Sequence, residues 1–346
     1  MPTPKLKDIA DALGLSYSTV SRALKGNFRI SEETRHKVNE YAAKIKYIPN
    51  IAAQSLRNNR TRSIGILVPN ISNNFFSEVL NGIESAGYDK NYQVIITQSQ
   101  ESGEKESKNI DTLMSRAVDG LLVSLSSTTL NAEKLKAIHE SGTPVVFFDR
   151  VCSLFDTYKV VSDNEGGSYK VVKHLIRNGY TRIAHITSSP EKSITSERLS
   201  GYQKGLEESN IPFDASLVKY CVHGGMLPHE VEKSIDELLE LDPWPGAIIT
   251  ASDRITIVTM ASLYKRKIAI PEQIAVAGFS NFSVPEIFAP PLTTVKQPAF
   301  EMGKIAADLL IKLIESKKPV ANYEKIVLPT ELTVRASTAL KMAPVG

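Results

Sequence analysis

Apolar positions recur at helical spacing in three short stretches of the first 47 residues, then give way to uninterrupted apolar runs alternating with amphipathic segments. In the first stretch Leu6, Ile9, Ala10 and Leu13 share one face, and Gly14 stops the helix. In the second, Ser16 is placed to cap a helix running to about Leu24, with Val20, Ala23 and Leu24 turned inward. In the third, Ser31 caps, Glu32 and Glu33 suit the positive N-terminal end, and Val38, Tyr41, Ala42 and Ile45 form the apolar face. Two short helices joined by a tight glycine-containing turn predict a helix-turn-helix, and the three helices together predict an all-α head over residues 1–47.

The segment "YIPNIAAQSLRNNRTRS" has no such periodicity. Pro49 breaks the chain, Ile51 to Leu56 suffice for a turn or two of helix, and "RNNRTR" is polar and basic. So short a helix is mostly unfolded alone, so 48–62 is predicted to be a hinge that orders when something holds it. From Ser63 the runs "SIGILVP", "YQVIITQ", "DGLLVSL", "PVVFFD", "RIAHIT", "GAIITA" and "IAVAGF" read as buried strands. Helical segments such as Phe76 to Asp89, Glu104 to Arg116, Glu165 to Arg177, Glu197 to Ser209 and Val231 to Glu240 lie between them. This alternation predicts an α/β body over 63–340 built of doubly wound parallel sheets, with too many units for one small sheet. A boundary near Ser162 and Asp163 divides it into a first lobe of about 63–162 and 295–325 and a second of about 163–292 and 326–337.

Charge sharpens this division. Residues 1–62 carry 12 Lys and Arg against 5 Asp and Glu, a net of +7, whereas the remaining chain carries 29 against 33, a net of −4. A basic head on a mildly acidic body points to a module for a polyanion, because neutralising phosphates supplies most non-specific affinity for nucleic acid. Cys152 and Cys221 are far apart without CxxC or Cys/His spacing, which supports neither a disulfide framework nor a metal site and suits a reducing compartment. No apolar leader with a small-residue cleavage site opens the chain, and no run approaches the roughly 20 apolar residues of a membrane span, so a cytoplasmic protein is expected. The motifs G-x-S-x-G, G-x-x-x-x-G-K-[ST], H-E-x-x-H and G-x-G-x-x-G after a strand are absent, so neither catalytic residues nor a cofactor are expected. His139, His174 and His185 fall in predicted elements and read as structural, Gly224-Gly225 as a turn, and Trp244 in "DPWPG" as loop packing.

The tip of the second helix, "SYSTVSR", suits the polyanion. A helix entering the DNA major groove faces base edges with its N-terminal residues and must be slim there. Tyr17, Ser18 and Arg22 can project together, Arg22 toward a guanine edge, while Thr19 and Ser21 can bond phosphates that fix register.

The stretches "LKDIADALGLSYSTVSRALKG", "ISEETRHKVNEYAAKIKYIPN" and "AAQSL" resemble the head and hinge of the lactose repressor / galactose repressor (LacI/GalR) family of bacterial transcription regulators. "IGILVPNISNNFFSEVLNGIE", "VDGLLV", "PVVFFDR", "ERLSGYQKGL" and "PPLTTVKQP" extend the resemblance through nearly the whole chain. The resemblance implies a sequence-specific DNA-binding regulator, most often a repressor. Its body resembles periplasmic sugar-binding proteins and holds a small molecule between two lobes, controlling operator affinity allosterically. It places Tyr17, Ser18 and Arg22 at base-reading positions, with Ser18 bearing on operator preference, and Arg29 at a phosphate or minor-groove position. Leu56 matches the family's apolar wedge, and Ala52 and Ala53 would let two hinge helices approach closely.

For the cleft, Asp149, Arg198, Asp253 and Gln297 match effector-contacting positions, Phe75 and Phe76 match its lip, and Ser126 follows "GLLVSL". Ser280 in "GFSN" stands where many relatives carry an aspartate, and Met226 falls near a position often aromatic. Such a set suits a hydroxyl-rich effector, a carbohydrate or a derivative such as a sugar phosphate. No leucine heptads follow "KIVLPTELTVR", so the resemblance implies a homodimer on a pseudo-palindromic site of double-stranded DNA rather than a coiled-coil tetramer. The competing readings are a transport-type sugar-binding protein, which the basic head disfavours, and an α/β enzyme with an accessory head, which the missing motifs disfavour.

Overall fold

The structure, a computed structural model, describes residues 4–47, 60–126, 131–316 and 322–339. The expected hinge positions Ala52, Ala53 and Leu56 lie outside the described residues. The chain divides into two compact units, residues 1–61 and 62–346.

In the first unit, helices α1 (Leu6–Leu13), α2 (Tyr17–Leu24) and α3 (Glu32–Lys44) enclose a core of Ile9, Ala10, Val20, Ala23, Val38 and Ala42. The caps are those the sequence predicts. Gly14 ends α1 with φ +62°, a left-handed conformation that favours glycine. The Ser16 hydroxyl accepts from the Thr19 amide at 3.1 Å and that of Ser31 from the Thr34 amide at 3.3 Å.

The second unit contains two six-stranded sheets. The first runs β11-β5-β4-β3-β1-β2, with β1 (Ser63–Val68), β2 (Gln93–Gln98), β3 (Gly120–Val123), β4 (Val145–Phe148), β5 (Lys159–Ser162) and β11 (Lys325–Leu328) all parallel. The second runs β12-β10-β9-β8-β6-β7, with β6 (Ile183–Ser188), β7 (Val218–Cys221), β8 (Ala247–Thr250), β9 (Ala275–Phe279) and β10 (Thr293–Lys296) parallel and β12 (Glu331–Thr333) antiparallel at the edge.

Central strands are apolar throughout because both faces are covered. From β1, Ile64, Ile66 and Val68 pack against α4 (Asn74–Asp89) and α11 (Ala299–Glu315), while Leu67 points to the opposite core with α5 (Gly103–Ser115) and α6 (Ala132–Glu140). The second sheet is covered likewise by α7 (Asn164–Arg177) and α8 (Ser193–Glu207) on one face and α9 (Pro228–Leu239) and α10 (Asp253–Lys265) on the other. Helices α4 and α11 meet backbone to backbone: a Cβ on Gly82 would lie 2.0 Å from the Phe300 carbonyl oxygen, and one on Gly303 2.0 Å from that of Val79.

The chain passes between the sheets after β5, after β10 and after β11. The expected lobe limits differ at two of these passages. Thr293–Lys296 belongs to the second sheet, and Lys325–Leu328 to the first, so the expected change at 325/326 falls inside a strand. The reason is local: "KIVLPTELTVR" reads as one strand-like run, but a break at Pro329 and Thr330 makes it two short strands serving different sheets.

Candidate functional site

Two surfaces carry the residues singled out by sequence. On the head, Tyr17, Ser18, Arg22 and Arg29 are exposed, and Thr19 and Ser21 are half-buried. Burying Val20 and Ala23 turns the α2 face bearing Tyr17, Ser18 and Arg22 to solvent. The Ser18 and Thr19 hydroxyls both bond that of Ser16, at 2.9 and 2.8 Å, so the cap also orients the helix tip. Arg29 lies 5.7 Å from the ring of Phe28, which is 84% exposed, an unusual placement for so large an apolar side chain. Phe28 carried no signal in the sequence because it belongs to no periodic segment.

In the body, the carboxyl ends of strands from both sheets converge on a cavity with a volume of about 50 Å3. Each sheet reverses its strand order beside its first strand, β1 or β6, and such switch points are where doubly wound sheets hold ligands. Seven of the eight expected cleft residues line this cavity: Phe75, Phe76, Asp149, Arg198, Asp253, Ser280 and Gln297. Ser126 does not; its amide donates to Glu106 Oε2 at 2.7 Å, and Asn131 Nδ2 donates to Glu106 Oε1 at 2.9 Å, in a buried cluster of its own. Its place directly after β3 suggested the cleft, but the strand ends short of it. Met226 and Trp244 are likewise absent from the lining.

Arg198 is the centre of the arrangement. Its guanidinium donates to Asn164 Oδ1 at 2.8 Å, to Gln297 Oε1 at 3.2 Å and to the Ala251 carbonyl, and it stacks 4.0 Å from the Phe279 ring centroid. Burial pushes its pKa down to about 10 although Asp149 draws it up. Asp149 directly follows β4 with φ +58°, a conformation uncommon for a residue with a side chain and costly unless the surroundings enforce it. Burial raises its carboxyl, opposed by Arg150 and Arg198.

Asp253 opens α10. Burial raises its carboxyl, while the Ser280 hydroxyl and the amides of Asn281 and Phe75 bond it and lower it. Ser280 therefore acts as a donor to a neighbouring carboxylate, a task an aspartate could not perform in ionised form. Polar bridges cross the cavity between lobes: Asn281 Nδ2 donates to Glu78 Oε2 at 2.8 Å, and Arg254 Nη2 to Ser72 Oγ at 3.3 Å.

Sequence reasoning missed a charged group at one end. Arg150 donates to both oxygens of Glu101 at 2.8 and 2.9 Å, and Lys192 Nζ stands 3.7 Å from Glu101 Oε1. Burial pushes Lys192 down to about 7, and Arg150 lowers it further. Arg150 adjoins Asp149 in "FFDR" and was within reach of the motif; Glu101 and Lys192 sit in loops after strands, where no periodicity marks them. The three histidines singled out by sequence make structural bonds: His185 Nδ1 meets the Ile249 carbonyl at 3.2 Å in the core, His139 Nδ1 accepts from the Val145 amide at 3.1 Å, and His174 Nε2 meets Thr338 Oγ1 at 2.8 Å. Cys152 and Cys221 are free thiols, no group of side chains among the described residues could hold a metal ion, and no described helix is long and apolar enough to cross a membrane.

Residues 5–50 match the family described as "Bacterial regulatory proteins, lacI family", and residues 172–338 match "Periplasmic binding protein-like domain". The chain is 33% identical over 312 residues to the HTH-type transcriptional repressor PurR of Vibrio atlanticus (strain LGP32), covering 90% of this chain and 92% of that protein. It is 31% identical over 335 residues to the ribose operon repressor of Haemophilus influenzae, covering 96% and 98%. Among solved structures, the transcriptional regulator CelR in complex with cellobiose superposes with a TM-score of 0.71 at 28% identity, over 96% of this chain and 99% of that one. The lac repressor dimer bound to operator and the anti-inducer ONPF shares the fold with a TM-score of 0.81 at 24% identity, over 98% and 100%.

Proposed function

From membership in the lacI family of bacterial regulatory proteins, to which this chain belongs, we propose a cytoplasmic homodimeric repressor that α2 docks in the major groove of a pseudo-palindromic operator and that a small polar metabolite controls from the cleft. Arg22 reads a guanine edge with Tyr17 and Ser18 beside it, Thr19, Ser21 and Arg29 hold phosphates, and Leu56 wedges the minor groove with Ala53 at the hinge contact. In the cleft, Arg198 and Asp149 bond the effector, Phe75 and Phe76 cover it, and Asp253, Ser280 and Gln297 hold the two lobes in register around it.

One observation carries the reading: a slim, capped, exposed helix tip and a buried arginine-centred cavity occur in one chain. Dimerisation is supported by an exposed apolar groove of about 900 Å3 whose lining includes Ile257, Tyr264, Ile268, Ile287 and Phe288. Tyr264 and Ile287 are 83% and 77% exposed, which a lone subunit rarely sustains in one patch. Fluorescence anisotropy on genomic fragments, with and without candidate metabolites, tests the proposal. A palindromic fragment bound far more tightly than random DNA and released or tightened by one metabolite is the expected result; equal affinity for all fragments under every condition refutes it.

A further inference from the structure

We propose that Phe28 is a specificity-determining DNA contact, its ring seated on the 5-methyl group of a thymine at the edge of each operator half-site. The inference rests on α2 docking in the major groove.

Ser18, Arg22 and Lys25 stand at i, i+4 and i+7, one exposed stripe along α2 and its C-cap. The stripe runs directly into the loop 26–30, which is fixed to the end of the helix. The Asn27 amide donates to the Arg22 carbonyl at 3.1 Å and that of Gly26 to the Ala23 carbonyl at 3.0 Å, while Gly26 turns the chain with φ +67°. Asn27 then closes the loop on itself: its side-chain oxygen accepts from the Arg29 amide at 2.9 Å, and its carbonyl from the Ile30 amide at 3.1 Å. Leu24 and Ile30, on either side, pack against the core of the head. With both ends anchored in this way, the ring of Phe28 is held out in solvent, 84% exposed, where the reading face of α2 ends.

A single exposed aromatic ring needs no partner on its own account, but the neighbours of Phe28 select one. Residues 12–31 contain no Asp or Glu, and Arg22, Lys25 and Arg29 flank the ring along the chain, a charge that nucleic acid complements. The Arg29 guanidinium, 5.7 Å from the ring centroid, brings a phosphate-binding group and an apolar face to one place. The eight residues of α2 span about 12 Å, close to the width of the major groove, so a side chain just past the end of the helix remains within reach of base edges. The one apolar group on those edges is the thymine methyl. A phenyl ring laid on it takes out of water the surface that the fold leaves exposed, and does so only at a base pair that carries the methyl.

Selection of duplexes from a random-sequence pool by the full-length protein, followed by replacement of each thymine of the selected site with deoxyuridine, tests this, because deoxyuridine lacks only the methyl. One replacement in each half-site should weaken binding by the unsubstituted protein about three- to five-fold and leave binding by Phe28→Ala unchanged. Phe28→Ala itself should keep its melting temperature and lose about ten-fold on the selected site but little on random duplex, while Phe28→Tyr, which retains the ring, keeps the discrimination. Equal binding of the selected site with and without Phe28→Ala, an equal loss on random duplex, or the absence of any thymine whose methyl the two proteins distinguish overturns the thymine contact. Selection of no sequence over random, or a selected site that Arg22→Ala binds as tightly as the unsubstituted protein, overturns major-groove docking instead, which separates the two failures.

Discussion

Replacing Arg198 with methionine isolates the residue on which the cleft depends, because a similar apolar stem remains while the guanidinium disappears. Three buried acceptors lose their donor: Asn164 Oδ1, Gln297 Oε1 and the Ala251 carbonyl. Each stranded acceptor costs about 1–3 kcal/mol, and loss of the stack on Phe279 adds about 1 kcal/mol. Against this stands relief from burying a cation, which the depression of its pKa to about 10 sets on the order of 3 kcal/mol. The balance is a destabilisation of about 3 kcal/mol, which at about 2–4 °C per kcal/mol lowers the body's melting temperature by roughly 6–12 °C. Arg198→Lys, keeping charge but not the planar fork, should fall between. Differential scanning fluorimetry reads the stability, and anisotropy on operator DNA reads the response: the variant should bind DNA and ignore the effector. An unchanged melting temperature with a normal effector response would refute the central role given to Arg198.

The head, the cavity and the core each supply a further expectation. Arg22→Ala should cost about 1–3 kcal/mol on the operator and far less on random DNA in competition binding; equal loss on both would assign Arg22 to the phosphates. Because Lys192 is depressed to about 7 in the folded protein, the unfolded chain binds the extra proton between about 7 and the ordinary lysine value near 10.4, so stability of the effector-free body should rise with pH across that window, by up to about 1.4 kcal/mol per unit. Lys192→Met should flatten the trend, and urea unfolding at stepped pH provides the check. Gly82→Ala should destabilise the first lobe by at least about 1–3 kcal/mol in urea unfolding, since its methyl would lie 2.0 Å from the Phe300 carbonyl oxygen.

The head was legible almost residue by residue, because short helices advertise their caps: Ser16, Ser31 and Gly14 stand where their hydrogen bonds and dihedral angles require them. In the body, strands covered on both faces showed as apolar runs, whereas Lys159–Ser162, Val218–Cys221 and Thr293–Lys296 are four residues each, mixed in polarity, and passed without notice. The cleft divides similarly. Residues carried by a matching motif, such as Asp149 just after β4 and Arg198 within α8, came forward, but Glu101 and Lys192 sit in loops that meet only after both lobes have folded. Ser126 shows the opposite error, a strand-end position whose backbone turns to Glu106 instead.

The geometry of α11 supplies a path from the cavity to the start of the body. Gln297, which accepts from Arg198 and donates through Nε2 to Ser162 Oγ at 3.1 Å, lies two residues before Ala299, where α11 begins. The helix runs 17 residues, about 25 Å, to Glu315, whose carboxylate bonds Arg62 Nη1 at 2.9 Å. Arg62 is further fixed by its amide donating to Asp119 Oδ2 at 2.9 Å and by its guanidinium lying 4.9 Å from the Tyr92 ring centroid. It is also the first residue of the body unit, from which the chain leads back to the head. Because α4 and α11 touch backbone to backbone through Gly82 and Gly303, a rigid shift of α11 that moved Gln297 would carry Glu315 and its partner Arg62 with it. An effector that favours one arrangement of Arg198 and Gln297 over another therefore biases the position of Arg62 by the difference of its affinities for the two. Operator DNA, favouring one position of the same residue, must bias effector affinity by the same factor.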